Sequence, residues 1–162
     1  MNPTLIFGLQ FLLSFLAWGL ILGVLLAPWL ARRTRREALL LLSLPHIFRH
    51  VGLSFLIPGV VHQPLPMGFA GPAAYGDLFA GLIALAAVVA LHFRWPMATA
   101  LVWLLTLVGS LDLFNALRHE GVAHMMGSTW FIPTFLVPLL LLTHWMSLRR
   151  LLQPVQEPAR CR

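Results

Sequence analysis

Five times along this chain an apolar run long enough to cross a lipid bilayer ends in a short polar break. A helix needs about 20 predominantly apolar residues to traverse the hydrocarbon core. The runs cover residues 4–30, 38–61, 72–91, 97–117 and 129–146. No water reaches hydrocarbon, so each run must satisfy its own backbone, which makes it helical. The expected fold is all-α: a polytopic transmembrane helical bundle of about five spans. Residues 1–150 form one domain, followed by a basic tail over 151–162. Composition supports lipid as the solvent. Only 10% of residues are charged and the mean hydropathy is +0.85, whereas a soluble domain carries about a quarter charged residues. The first run lacks a basic segment ahead of it and a small-residue cleavage pattern behind it, and reads as a retained span.

The net charge of +6 arises from arginine alone. These arginines sit in clusters beside apolar runs, a topology signal rather than a nucleic-acid surface, so no nucleic-acid partner is expected. Arg32, Arg33, Arg35, Arg36, Arg94, Arg149, Arg150, Arg160 and Arg162 fall on one side of the expected bundle. Arg118 falls on the other. Basic segments stay on the cytoplasmic side, which places the N-terminus outside and the C-terminus inside. Trp29, Trp95, Trp130 and Trp145 lie near span ends and read as interfacial anchors. The lone Cys161 allows no intrachain disulfide and no cysteine metal site.

Ionisable groups at membrane depth are costly and mark functional centres. The second span carries Ser43, His46, Arg49, His50 and Ser54. At 100° per residue Ser43, His46, His50 and Ser54 share one face, with Arg49 beside it. A guanidinium stays charged and needs a partner at that depth. Asp112 in the fourth span is the expected partner, with Asp77 of the third span and Asn115 in the same network. Tyr75, Thr134 and His144 are secondary members. Alternatively, the pair fixes helix packing alone, although polar contacts between membrane helices average only about 0.6 kcal/mol.

His46 and His50 have the i, i+4 spacing that lets two imidazoles meet one metal, but no adjacent Glu completes a hydrolytic motif. His62, His119 and His124, with Glu120, Met125 and Met126, form a weaker candidate for a metal such as copper or zinc, in or beside the outer loops. A haem would need histidines at matched depth on different helices, and His46 with His144 is the available pair. Phosphate loops, cysteine pairs and serine-nucleophile elbows are absent from the sequence, and so is an internal repeat.

The stretches Phe48-Arg49, Gly52-Leu53-Ser54-Phe55-Leu56, Pro58-Gly59-Val60, Ala74-Tyr75-Gly76-Asp77-Leu78, Phe131-Ile132-Pro133-Thr134, Val137-Pro138 and Thr143-His144 resemble a group of short bacterial membrane proteins without an assigned function. The resemblance covers the second to fifth spans. It implies a setting in the bacterial inner membrane and supplies no activity, cofactor or site residue.

Three functional expectations follow. The first is a pocket in the bilayer for a lipophilic or small anionic molecule, with proton transfer by Asp77, Asp112 or a histidine. The second is a non-catalytic subunit of a larger membrane complex. The third is a small homo-oligomeric transporter or a haem-binding membrane protein.

Overall fold

The computed structural model describes residues 2–62 and 65–153. Arg160, Cys161 and Arg162 lie outside the described residues. Among the described residues five helices are long and apolar enough to cross a membrane: α1 (Pro3–Ala31), α2 (Arg35–Leu56), α3 (Met67–His92), α4 (Ala98–Leu117) and α5 (Gly127–Leu152). The number of spans agrees with the hydropathy reading; several ends do not. Helix α2 starts at Arg35 rather than residue 38. There Thr34 accepts from the Glu37 N–H, and the Glu37 carboxylate accepts from the Thr34 N–H. This reciprocal cap holds the helix start inside the arginine cluster. Helix α3 starts at Met67, so Pro72 lies within it rather than at its entry. Helix α5 continues to Leu152 and takes Arg149 and Arg150 into its last turn.

Three of the helices depart from regular α geometry next to proline. Helix α1 widens into a π turn over Ile21–Leu26, just before Pro28. Helix α5 does the same over Ile132–Leu136, just before Pro138. A proline ring clashes with the carbonyl four residues back, and the wider turn relieves that clash. Helix α2 contains Pro45 and tightens into a 3₁₀ helix over Phe48–Leu56. Nine residues is long for this winding, which seldom exceeds about four, and long 3₁₀ runs mark hinges or constrained sites.

Helix α3 is the central element, packing against both α2 and α4. Its buried face is built of small residues, among them Ala73, Ala80, Ala84 and Ala87. Gly81 brings the α2 backbone close: a Cβ there would stand 3.4 Å from the Ile47 carbonyl oxygen. Small residues permit such close approach between helices. Helix α1 is peripheral, with no buried residue in Pro3–Leu20. It is pinned to α5 at two indoles. Trp130 Nε1 donates to Gln10 Oε1 and Trp18 Nε1 donates to the Phe135 carbonyl at 3.1 Å. Trp130 is thus an interhelix tie as well as an end residue.

The arginines of the α1–α2 turn converge on helix ends. Arg35 Nη2 donates to the Leu151 carbonyl at the end of α5, and Arg36 Nη1 to the Leu91 and His92 carbonyls at the end of α3. Cationic side chains complement the partial negative charge of helix C-termini. These bonds place the α1–α2 turn and the ends of α3 and α5 at one end of the bundle.

Candidate functional site

Within the bundle Arg49 is the largest fully buried side chain, at 1% exposure. The 3₁₀ winding of α2 determines what accompanies it. In a 3₁₀ helix residues three apart eclipse one another, and the buried residues of this segment are Arg49, Gly52 and Phe55. His46, three residues earlier, is buried on the preceding α turn. His50 therefore falls off the buried face. It is exposed, and its Nδ1 sits 3.0 Å from the Ile47 carbonyl of its own helix. The expected face of His46, His50 and Ser54 assumed 100° per residue, and the tighter winding replaces it.

The Arg49 guanidinium joins three helices. Nε donates to Asp77 Oδ1 on α3 at 2.8 Å. Nη2 donates to Asp112 Oδ2 on α4 at 2.5 Å, and Nη1 to the Gly109 carbonyl on α4 at 3.1 Å. All three nitrogens are engaged and the side chain is fully enclosed. With both carboxylates ionised the triad carries a formal charge of −1.

A glycine accompanies each close approach. A Cβ on Gly52 would overlap the Asp77 carboxylate, and a Cβ on Gly76 would overlap that of Asp112. A Cβ on Gly109 would stand 2.6 Å from His144 Nε2 and 2.9 Å from Arg49 Nη1. Three helices thus each contribute a glycine where a neighbour's polar group enters. The sequence reading missed these glycines. The signal was their spacing: Gly52 three residues after Arg49, Gly76 beside Asp77, and Gly109 three residues before Asp112.

Beyond Arg49 lies a histidine pair. The His46 and His144 rings pack at 4.0 Å between centroids, tilted by 36°. His46 Nε2 lies 3.0 Å from the Thr143 hydroxyl, which also reaches the Leu139 and Leu140 carbonyls. His46 Nδ1 and His144 Nε2 are buried without a hydrogen-bond partner among the described residues. A haem, one of the alternatives weighed for these histidines, does not fit between them. Rings in direct contact leave no room for a porphyrin plane.

The remaining candidates stand apart. Asn115 and Tyr75 are exposed and outside the network. The Thr134 hydroxyl returns to the Trp130 carbonyl of its own helix. His124 is exposed, and His119 Nδ1 lies 3.0 Å from the Asn115 carbonyl. Among the described residues no group of three or more His, Cys, Asp or Glu side chains gathers in a metal-binding arrangement.

Asp77, Asp112 and His119 line a cavity between the helices, walled otherwise by Phe7, Phe55, Phe69, Ile132 and other apolar residues. It offers about 40 Å³ to the centres of water-sized atoms, where a single water requires about 10–15 Å³. The bonds to Arg49 use Asp77 Oδ1 and Asp112 Oδ2, and the other oxygen of each carboxylate lies over Gly52 and Gly76 respectively. The site therefore presents an apolar slot ending in two carboxylates held by a cation behind them.

The chain belongs to the family described as Domain of unknown function (DUF8737), whose model matches residues 6–152. No curated protein and no solved structure matches it.

Proposed function

We propose that this is a multi-pass protein of the bacterial inner membrane, with its N-terminus outside and its C-terminus in the cytoplasm. In this reading the cavity takes the end of a lipophilic molecule bearing a hydrogen-bond donor or a positive charge. The length and apolarity of the five helices support the membrane setting, and the arginines gathered at one end support the orientation. The observation that carries the ligand reading is the charge arrangement. Arg49 is fully enclosed, so its guanidinium is out of reach of an anion in the cavity. The carboxylates that line the cavity are Asp77 and Asp112, with His119 the other polar side chain there. Their triad is one negative charge in excess, and in an apolar surrounding that charge is offset by a proton or a cationic group. Proton exchange with the bound molecule is the chemistry such a site supports.

The test uses protein in lipid nanodiscs and two probes of equal chain length, octylamine and octanoate. A bound ligand raises the unfolding temperature. Octylamine raises it and octanoate does not, and Asp112→Asn abolishes the difference while retaining the Arg49–Asp77 pair. Stabilisation by octanoate, or by neither probe, overturns the reading.

A second reading, a non-catalytic subunit of a larger membrane complex, is favoured by α1, which leaves an almost fully apolar helix on the outside of the bundle. Its test is stoichiometric co-purification of a defined partner in mild detergent, lost when α1 is replaced by an unrelated apolar span.

A further inference from the structure

At the arginine end of the bundle a second site lies between α2, α3 and α4, unconnected with the Arg49 centre. We propose that this groove binds the phosphate headgroup of an anionic phospholipid. It offers about 330 Å³ and is lined by Arg35, Arg36, Arg94, Trp95 and Thr99, with Leu39 and Leu91 among its apolar residues. Pockets for small ligands begin near about 300 Å³.

The arginines are prepared for an anion. Arg35 and Arg36 each spend one guanidinium nitrogen on helix-end carbonyls. A guanidinium carries five N–H donors, so each fork keeps donors beyond those spent on the carbonyls. Arg35 Nε is buried with no hydrogen-bond partner among the described residues. The nearby carboxylate, Glu37, is occupied by the Thr34 N–H. Anchored forks lose little freedom on binding and match phosphate oxygens in pairs.

Two further observations point the same way. Helix α4 begins in the groove at Ala98 and Thr99, and its Met97 cap supplies no side-chain acceptor; the Ala98 N–H donates to the Trp95 carbonyl at 3.1 Å. Such a helix start attracts anions. Arg94 sits at φ 59°, the left-handed position that closes α3, with the Trp95 N–H bonded to the Ala90 carbonyl at 2.9 Å. Glycine is the usual residue there. An arginine at this strained position aims a third cation at the groove. The exposed Trp95 indole beside the arginines favours a phosphate that carries acyl chains over free phosphate.

Native mass spectrometry of the full chain released from mixed nanodiscs tests this. Equal phosphatidylglycerol and phosphatidylcholine are supplied, with and without millimolar inorganic phosphate. Phosphatidylglycerol is retained at least fivefold over phosphatidylcholine, and phosphate does not compete. Arg94→Gln, at an exposed turn, lowers the ratio at least threefold, while Arg94→Lys keeps most of it. Equal retention of the two lipids, or an unchanged ratio in Arg94→Gln, overturns the proposal. Displacement by inorganic phosphate alone overturns the assignment to lipid and makes this a free-anion site.

Discussion

Gly52→Ala tests the arrangement of the buried centre because two effects of opposite sign compete at that position. In a helix interior alanine is more favourable than glycine by up to about 1 kcal/mol. An unobstructed site would therefore gain stability. Here the added methyl overlaps the Asp77 carboxylate. Overpacking costs about 1–3 kcal/mol. Displacing Asp77 also weakens its bond to Arg49 Nε, and breaking a buried ion pair outright costs about 3–5 kcal/mol. Even partial loss of the pair outweighs the propensity gain, so the net effect is a loss of about 2 kcal/mol or more. Unfolding in mixed micelles, followed by tryptophan fluorescence, measures it. A double-mutant cycle makes the cause explicit. In an Asp77→Gly background the whole obstructing side chain, Cβ included, is gone, and Gly52→Ala becomes neutral or stabilising. The same loss in both backgrounds would refute the geometry, as would a stabilising Gly52→Ala in the native background.

Arg49→Leu leaves two facing carboxylates without their cation and lowers stability by about 3–5 kcal/mol in the same unfolding assay. Adding Asp77→Leu and Asp112→Leu recovers most of that loss if packing is the only remaining demand. Arg49→Lys fails to restore the native stability, because one ammonium cannot reproduce a planar fork that joins two helices. Arg94→Gly relieves a left-handed arginine and raises stability by about 1 kcal/mol, read as a higher unfolding temperature. Trp130→Phe removes the tie to Gln10 and costs about 1 kcal/mol. Limited proteolysis of that variant shows faster release of α1.

Much of the architecture was legible because long apolar runs follow simple rules. Apolar length located five helices, and the arginine clusters marked one end of the bundle. Arg49, Asp77 and Asp112 were legible as a group because a buried cation requires anions. What escaped was local winding. Pro45 interrupts α2, and the nine residues after Ile47 wind as a 3₁₀ helix. A reading at 3.6 residues per turn therefore turned His50 inward, while the structure buries Gly52 instead. Asn115 was grouped with Asp112 through the i, i+3 rule, yet it points out of the bundle. Sharing a helix face is too coarse a criterion when one carboxylate meets its neighbour across a glycine. The proline π turns of α1 and α5 also carried no hydropathy signal. Helix ends were misjudged where polar residues cap a helix rather than end it, as at Thr34 and Glu37.

The central claim is that Asp77 and Asp112 lie on an apolar cavity with one excess negative charge, held by an enclosed Arg49. Reaction with a lipophilic carbodiimide in native membranes tests it most directly, because that reagent partitions into hydrocarbon and modifies carboxyl groups that hold a proton there. The account predicts modification mapped by mass spectrometry to Asp112 or Asp77, one adduct per chain, and slowed by octylamine but not by octanoate. Two unreactive aspartates, or labelling that octanoate suppresses as strongly as octylamine, would contradict it.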